Sequence, residues 1–477
     1  MQLGTDGASV TKGAPMSALP SSYVWIISVI AALGGLLFGY DWVVIGGAKP
    51  FFEPFFHIGP KTSLEGWVNS CALLGCLVGA LCAGVVSDRL GRKKPLVFAA
   101  VLFAVTSLGN ALAPNLVIFV LWRILGGVAI GLSSSLSPMY ISEVAPARLR
   151  GRLVSINQLT IVVGILMAQV INWFIGRHLP EGASVEFIRT SWYGEDAWRW
   201  MFAITAIPSL LFFFGLFVVP ESPRWLIKHG SKDAAEKVLA QIGGPEYAET
   251  EVANVSSTIS AEEVNKVNFG DLLAPGLRKV LVLGIVLAVF QQWCGINVVF
   301  NYAEDIFRAA GYDISSVLMN IAFTGCMNLV FTFVALGVVD FGGRRPLMLL
   351  GSGGLAVIYL LLGGCYFFHI HGLPDLILVL AAIGCYASSL APITWVIISE
   401  IFPNRIRGAA IAIAVTALWA ACFVLTYTFP ILLGKLGESG TFWLYAAICV
   451  AGFVFILKML PETKGKSLEA IEKELVG

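Results

Sequence analysis

Twelve runs of roughly 20 mainly apolar residues, each long enough to cross a bilayer core, dominate this chain. With 57% hydrophobic and only 13% charged residues among 477, one aqueous core could not bury the apolar surface, so most of it must face lipid. The runs are expected at 22–47, 63–86, 95–112, 116–141, 152–176, 198–219, 277–303, 314–338, 346–368, 375–398, 409–433 and 441–460. The fold class is therefore an all-α membrane protein.

The chain also contains itself twice. Ser-Glu-Val-Ala-Pro-Ala-Arg-Leu-Arg-Gly at 142–151 returns at 399–408 as Ser-Glu-Ile-Phe-Pro-Asn-Arg-Ile-Arg-Gly, identical at six of ten positions and displaced by 257. Asp88-Arg-Leu-Gly-Arg-Lys has a partner in Asp340-Phe-Gly-Gly-Arg-Arg, displaced by 252, and Gly39-Tyr-Asp has one in Gly295-Ile-Asn, displaced by 256. Duplicated halves in a hydrophobic chain mark a carrier whose halves rock about a midplane site. The expected organisation is an N-terminal tail over 1–21, a six-helix bundle over 22–220, a linker over 221–276, a second six-helix bundle over 277–460 and a tail over 461–477. The linker has helical spacing without the length or apolarity to span, as short amphipathic helices do. Its acidic and serine-rich part near 248–263 has the composition of a mobile stretch.

A net charge of +1 offers no general field for nucleic acid, but the charges are unevenly placed. Arg89, Arg92, Lys93 and Lys94 follow the second run, Arg148, Arg150 and Arg152 the fourth, Arg344 and Arg345 the eighth, and Arg405 and Arg407 the tenth. By the positive-inside rule these loops, the linker and both termini are cytoplasmic. The first run carries an aspartate and no small-residue cleavage pattern, so it reads as a retained helix. Compact termini and few Asn-x-Ser/Thr sites in outward loops suit a bacterial inner membrane. All nine cysteines fall inside the runs and read as small packing residues, and the five histidines do not cluster with them, so neither a metal nor a cofactor is expected. No nucleophile–base pair or Gly-x-x-x-x-Gly-Lys-Ser/Thr loop is present, so the chain is not expected to be an enzyme or its own ATPase.

Polar side chains inside spanning helices are costly unless they face a cavity or each other. Gln158, Gln291, Gln292, Asn297 and Asn328 are amides within the runs, and Trp395 and Trp419 are tryptophans within the tenth and eleventh. Amides both donate and accept, as a hydroxyl-rich ligand would require, and an indole offers a stacking face. Amides bonding helix to helix are the alternative. Gln291 and Asn297 lie about 120° apart on an ideal helix, so both border one cavity only if its wall is broad or the helix breaks near Gly295.

Asp41 and Arg123 are charges inside the first and fourth runs, at depths that agree within roughly 3 Å. A carboxylate there takes up a proton when its guanidinium partner moves away, which is a proton switch driven by helix motion. The alternative is a fixed ion pair holding two helices. Asp41 matches Asn297 in the repeat, so only the first half carries the pair; the first bundle is expected to handle the proton and the second to supply most substrate contacts.

Gly34-Gly-Leu-Leu-Phe-Gly-Tyr-Asp41, Asp88 to Arg92, Arg123-Ile-Leu-Gly-Gly127, Pro220-Glu-Ser-Pro-Arg-Trp225, Gln291-Gln-Trp-Cys-Gly-Ile-Asn297 and Pro461-Glu-Thr-Lys-Gly465, in this order, resemble the sugar porter family of the major facilitator superfamily. The resemblance covers nearly the whole chain after residue 22. It implies twelve transmembrane helices in two six-helix bundles with cytoplasmic linker helices, a central sugar site open alternately to each side, and contacts from the seven amide and tryptophan positions above with Phe38 nearby. Porters with aspartate at the Asp41 position are generally proton symporters. The expectation is import of a hexose or pentose with a proton by a monomer in lipid, with passive uniport as the alternative and a transporter-like receptor behind it. Asp88, Arg92, Glu143, Arg148, Asp340, Arg344, Glu400 and Arg405 are expected to form a cytoplasmic gate. The chain departs from the family pattern at Asn301-Tyr302, Ala391-Pro392, Leu418, Cys422 and Ile165, which leaves the sugar open.

Overall fold

The computed structural model describes residues 22–264, 275–403 and 407–464, except for the side chains of 259–264, 275, 339–341, 407 and 408. Among the described residues eleven helical stretches are long and apolar enough to cross a membrane. They are Ser22–Phe55, Ser63–Leu90, Lys93–Ala111, Leu116–Val144, Arg150–Gly176, Tyr193–Gly215, Gly276–Asn301, Ile314–Val338, Arg344–Phe367, Leu373–Ile401 and Ala409–Met459. The last is two helices meeting at Gly437, whose φ of 68° is not helical, so the chain crosses twelve times. It is a multi-pass membrane protein.

Local chemistry sets many of the ends. The side chains of Thr62, Asn115 and Asp313 accept from backbone N–H groups in the first turns of the second, fourth and eighth spans. Gly91 and Gly343, the repeat-related glycines after the second and eighth, have φ of 87° and 77°, the turn for which a side chain is a liability. The first span runs on to Phe55 instead of stopping near 47. Pro50 and Pro54 each remove one N–H from its ladder without ending it, because Phe51 and Phe52 are fully buried and hold the helix in place. Three short helices, Pro223–Lys228, Lys232–Gly243 and Pro245–Val264, make up the described linker. The acidic stretch expected to be mobile is thus part of a helix, anchored where Ala248 is fully buried.

The first half packs backbone against backbone. A Cβ on Gly75 would lie 1.9 Å from the carbonyl oxygen of Ile124, and one on Gly127 1.9 Å from that of Ala72, so the second and fourth spans approach as closely as main chains can. Gly39 and Gly164 do the same for the first and fifth, at 1.9 and 2.0 Å from Ile161 and Leu36 oxygens. Thr160 and Asn172 add hydrogen bonds to the carbonyls of Ala32 (2.7 Å) and Val44 (3.0 Å). The second half uses broken helices. Its seventh span stops at Trp293 and restarts at Ile296 after Gly295, whose φ is 88°; a further helix, Ala303–Ala309, follows. Its tenth divides at Ser389 into Leu373–Ser388 and Leu390–Ile401.

The halves meet at the end away from the basic loops. There Gln169 donates to Thr324 (3.3 Å), Ser315 to the Arg177 carbonyl (3.3 Å) and Lys61 to Glu438 (3.0 Å). At the basic end no ion pair joins the halves among the described residues.

Candidate functional site

Asp41 and Arg123, on the unbroken first and fourth spans, are brought together. Arg123 Nη1 donates to Asp41 Oδ1 at 3.1 Å and lies 3.4 Å from its carbonyl oxygen, with the residues 5% and 2% exposed. The guanidinium sits over the Phe202 ring at 5.6 Å, and the Tyr40 hydroxyl donates to the Met201 carbonyl at 3.2 Å, fixing the first span against the sixth. Gly126 keeps space beside the carboxylate: a Cβ there would be 3.4 Å from Asp41 Oδ2. That oxygen and Arg123 Nε have no hydrogen-bond partner among the described residues.

One residue on from Asp41, Trp42 joins Phe38 and Trp419 in a three-ring cluster with centroids 5.8–6.0 Å apart. It bridges the halves near mid-depth. A small cavity of about 10 Å³, near the threshold for one water, is lined by Trp42, Asn69, Cys76 and Arg123 from the first half and Asn301 from the second.

The amides form a second chain. Gln291 donates to the Ala391 carbonyl at 3.3 Å, Gln292 to Gln291 at 3.3 Å, and Asn297 to Gln292, with Cys422 Sγ 3.7 Å from Asn297. Gly295 makes this possible: the helix break turns Asn297 back toward Gln292, which an ideal helix would not. Cys422 lies one turn from Trp419, so amides and rings adjoin. The other amides and Trp395 are not drawn into this chain. Asn328 is buried, with its carbonyl accepting from Thr332 at 2.7 Å; Gln158 is half-buried; and Trp395 is 43% exposed with no ring partner among the described residues.

At the basic end the repeat-related charges pair inside each half. Glu143 receives Arg92 Nε at 2.8 Å and Nη2 at 2.7 Å, and Ser222 Oγ at 2.5 Å. Glu400 pairs with Arg344 at 3.2 Å and accepts from Thr463 Oγ1 at 2.6 Å. Asp88 lies 3.8 Å from Arg92 and 3.7 Å from Lys228. Arg148 is exposed and makes no ion pair among the described residues; Arg405 and the Asp340 side chain lie outside them. Two carboxylates not read as gate residues complete the pattern. Glu221 accepts from the backbone N–H of Arg92 (2.7 Å) and Lys93, and Glu462 from those of Arg344 (3.0 Å) and Arg345 (3.1 Å). Burial favours a protonated Glu462, but backbone donors from Lys464, Arg344, Arg345 and Thr463 hold its carboxyl below the usual range. Pro220-Glu-Ser and Pro461-Glu-Thr are thus one repeated clasp, and pairing those tripeptides in the sequence would have found it.

Sequence reasoning also missed a buried lysine where the halves touch. Lys49 Nζ lies 2.6 Å from Glu65, 3.4 Å from Glu304 and 4.0 Å from Glu53, and is hydrogen-bonded to Asp305. The lysine had fallen beyond the expected end of the first run, at 47.

A duplicated twelve-span protein with a buried charge pair in one half and, in the other, broken helices, one of them bearing a chain of amides, is a transporter of the major facilitator superfamily. The chain matches the sugar (and other) transporter family over residues 27–475 and belongs to it. It is 39% identical over 452 residues to the arabinose-proton symporter of Bacillus subtilis, covering 94% of this chain and 95% of that one. It is also 39% identical over 483 residues to the D-xylose-proton symporter of Escherichia coli, covering 95% and 96%. A solved inward open conformation of the Escherichia coli xylose transporter is similar with a TM-score of 0.82 at 37% identity, covering 95% of this chain and 100% of that one.

Proposed function

We propose that this chain imports a monosaccharide, a pentose or hexose, together with a proton by alternating access. The observation that carries the proposal is the Asp41–Arg123 pair, buried one residue from a ring cluster that spans both halves. In this reading Asp41 takes the proton when Arg123 withdraws and returns it when the ion pair re-forms. Gln291, Gln292, Asn297 and Trp419 hold the sugar, with Phe38 beside it and Gln158, Asn328 and Trp395 joining as the second half closes. Relatives that carry arabinose or xylose with a proton support the coupled reading over passive uniport.

The basic end faces the cytoplasm in this reading, with both termini, and the chain works as a monomer in a bacterial inner membrane. The cytoplasmic charges pair within each half because this conformation is closed on the opposite side; Glu143 and Glu400 would exchange partners across the halves when the basic end shuts. A cysteine at Ser191 should label with an impermeant thiol reagent in right-side-out cells, and one at Ser256 should not. The reverse pattern inverts the orientation. The test of function is uptake of a sugar panel into proteoliposomes with and without an inward proton gradient. Accumulation that a protonophore abolishes supports symport, downhill flux alone makes the protein a uniporter, and no flux makes it a receptor.

A further inference from the structure

We propose that Lys49 is the gate residue of the end opposite the basic loops, holding that end shut by clasping carboxylates from both halves. The proposal rests on the alternating-access reading.

Lys49 is 1% exposed, at a depth where a lone ammonium would be costly. Its partners come from three segments and both halves: Glu53 on the first span, Glu65 at the start of the second, and Glu304 and Asp305 on the helix Ala303–Ala309 after the seventh. The Tyr302 ring lies 5.3 Å from the ammonium, and its hydroxyl donates to the Thr426 carbonyl at 2.8 Å, fixing the ring to the eleventh span. Gly46, one turn before Lys49, admits the second half closely: a Cβ there would sit 2.9 Å from the Phe300 carbonyl oxygen.

The partition of partners makes this a switch and not a permanent bolt. If the halves separate here, Lys49 loses Glu304 and Asp305 but keeps Glu53 and Glu65 from its own half. Glu304 in turn keeps Arg308, at 2.9 Å. Asp305 alone loses its ion-pair partner, and its side chain, 20% exposed, already reaches toward solvent, so no fully buried charge is stranded, the arrangement that makes breaking a buried pair prohibitive. The nearby Lys61 ammonium is engaged elsewhere, with Glu438 at 3.0 Å, so it does not substitute for Lys49 in the clasp.

The experiment measures the distance between spin labels at Glu181 and Lys435, exposed positions on the two halves at this end, in full-length protein whose native cysteines are replaced. Lys49→Met should enlarge the long-distance population several-fold, and Lys49→Arg, which keeps the charge, should restore the wild-type distribution. Glu304→Gln with Asp305→Asn removes only the second half's partners and should shift the population the same way, even if Lys49→Met does not fold. An unchanged distribution in that double variant overturns the gate, as does equal widening by Arg and Met. Sugar flux is measured separately on the wild type: no flux sinks the transport reading while leaving the distance result to decide whether Lys49 holds this end closed.

Discussion

Gly39 and Gly295 occupy the same place in the two repeats, two residues before Asp41 and Asn297, and the structure uses them in opposite ways. Gly39 lies inside an unbroken helix, and its missing side chain lets the Ile161 carbonyl approach. Gly295 adopts φ 88° and ends one helix so that another can start. The contrast extends to two matching pairs of spans. The first and fourth are continuous, zipped to their neighbours, and carry the charge pair; their counterparts, the seventh and tenth, are broken, the seventh carrying Gln291, Gln292 and Asn297 and the tenth lending the Ala391 carbonyl. One repeated pattern thus appears once as continuous helices that keep two charges in register and once as jointed helices, the joints that the proposed closure around a sugar would use.

The largest effect should come from breaking the continuous helices. Gly127→Val places a side chain where a carbonyl oxygen stands 1.9 Å from a Cβ, and no rotamer relieves a main-chain clash, so folded protein should be lost on size-exclusion chromatography. Gly284→Ala in the second half meets the end of the buried Phe402 ring and no main chain, so it should lower the melting temperature by several degrees while the protein still folds. Next comes the charge pair. Asp41→Asn copies the neutral residue of the second repeat, so exchange of sugar should survive while uphill accumulation in sealed vesicles under an imposed proton gradient falls to background; continued accumulation would show that Asp41 is not the coupling acid.

Smaller effects belong to the jointed helices. Gln291→Ala and Asn297→Ala each remove one member of the amide chain, worth about 1–3 kcal/mol in a dry site, so sugar affinity measured by calorimetry should fall roughly tenfold. Unchanged affinity in both would move the site elsewhere. Gly295→Ala is the finest test. A side chain at φ 88° costs about 1–2 kcal/mol, enough to slow exchange severalfold without touching the Asp41–Arg123 contact. If that variant exchanges sugar at the wild-type rate, the joint is not what moves.

Twelve crossings and the pairing of Asp41 with Arg123 were legible in the sequence because both follow from length: apolar runs have to match a bilayer, and residue counts along antiparallel helices give depth. The joint at Gly295 was legible as a condition, since Gln291 and Asn297 could not share a wall without it. Lys49 was not. An apolar scan ends a span at the first lysine and proline, and only the fold shows that Glu304 and Asp305, 255 and 256 residues downstream, come to meet it. Trp42 was hidden for a different reason: beside an aspartate that explains its motif, a tryptophan in an apolar run looks like packing.

Asp41 and Lys49 stand on the same uninterrupted helix, eight residues or about 12 Å apart, and Asn172 ties down the carbonyl of Val44 between them. Within that stretch Gly46, Gly47 and the missing N–H of Pro50 mark where the helix bends most easily. If Asp41 takes the proton and Lys49 holds the outer end, the two are linked through one turn-by-turn backbone with no relay of side chains. On those readings the clock and the door share one shaft.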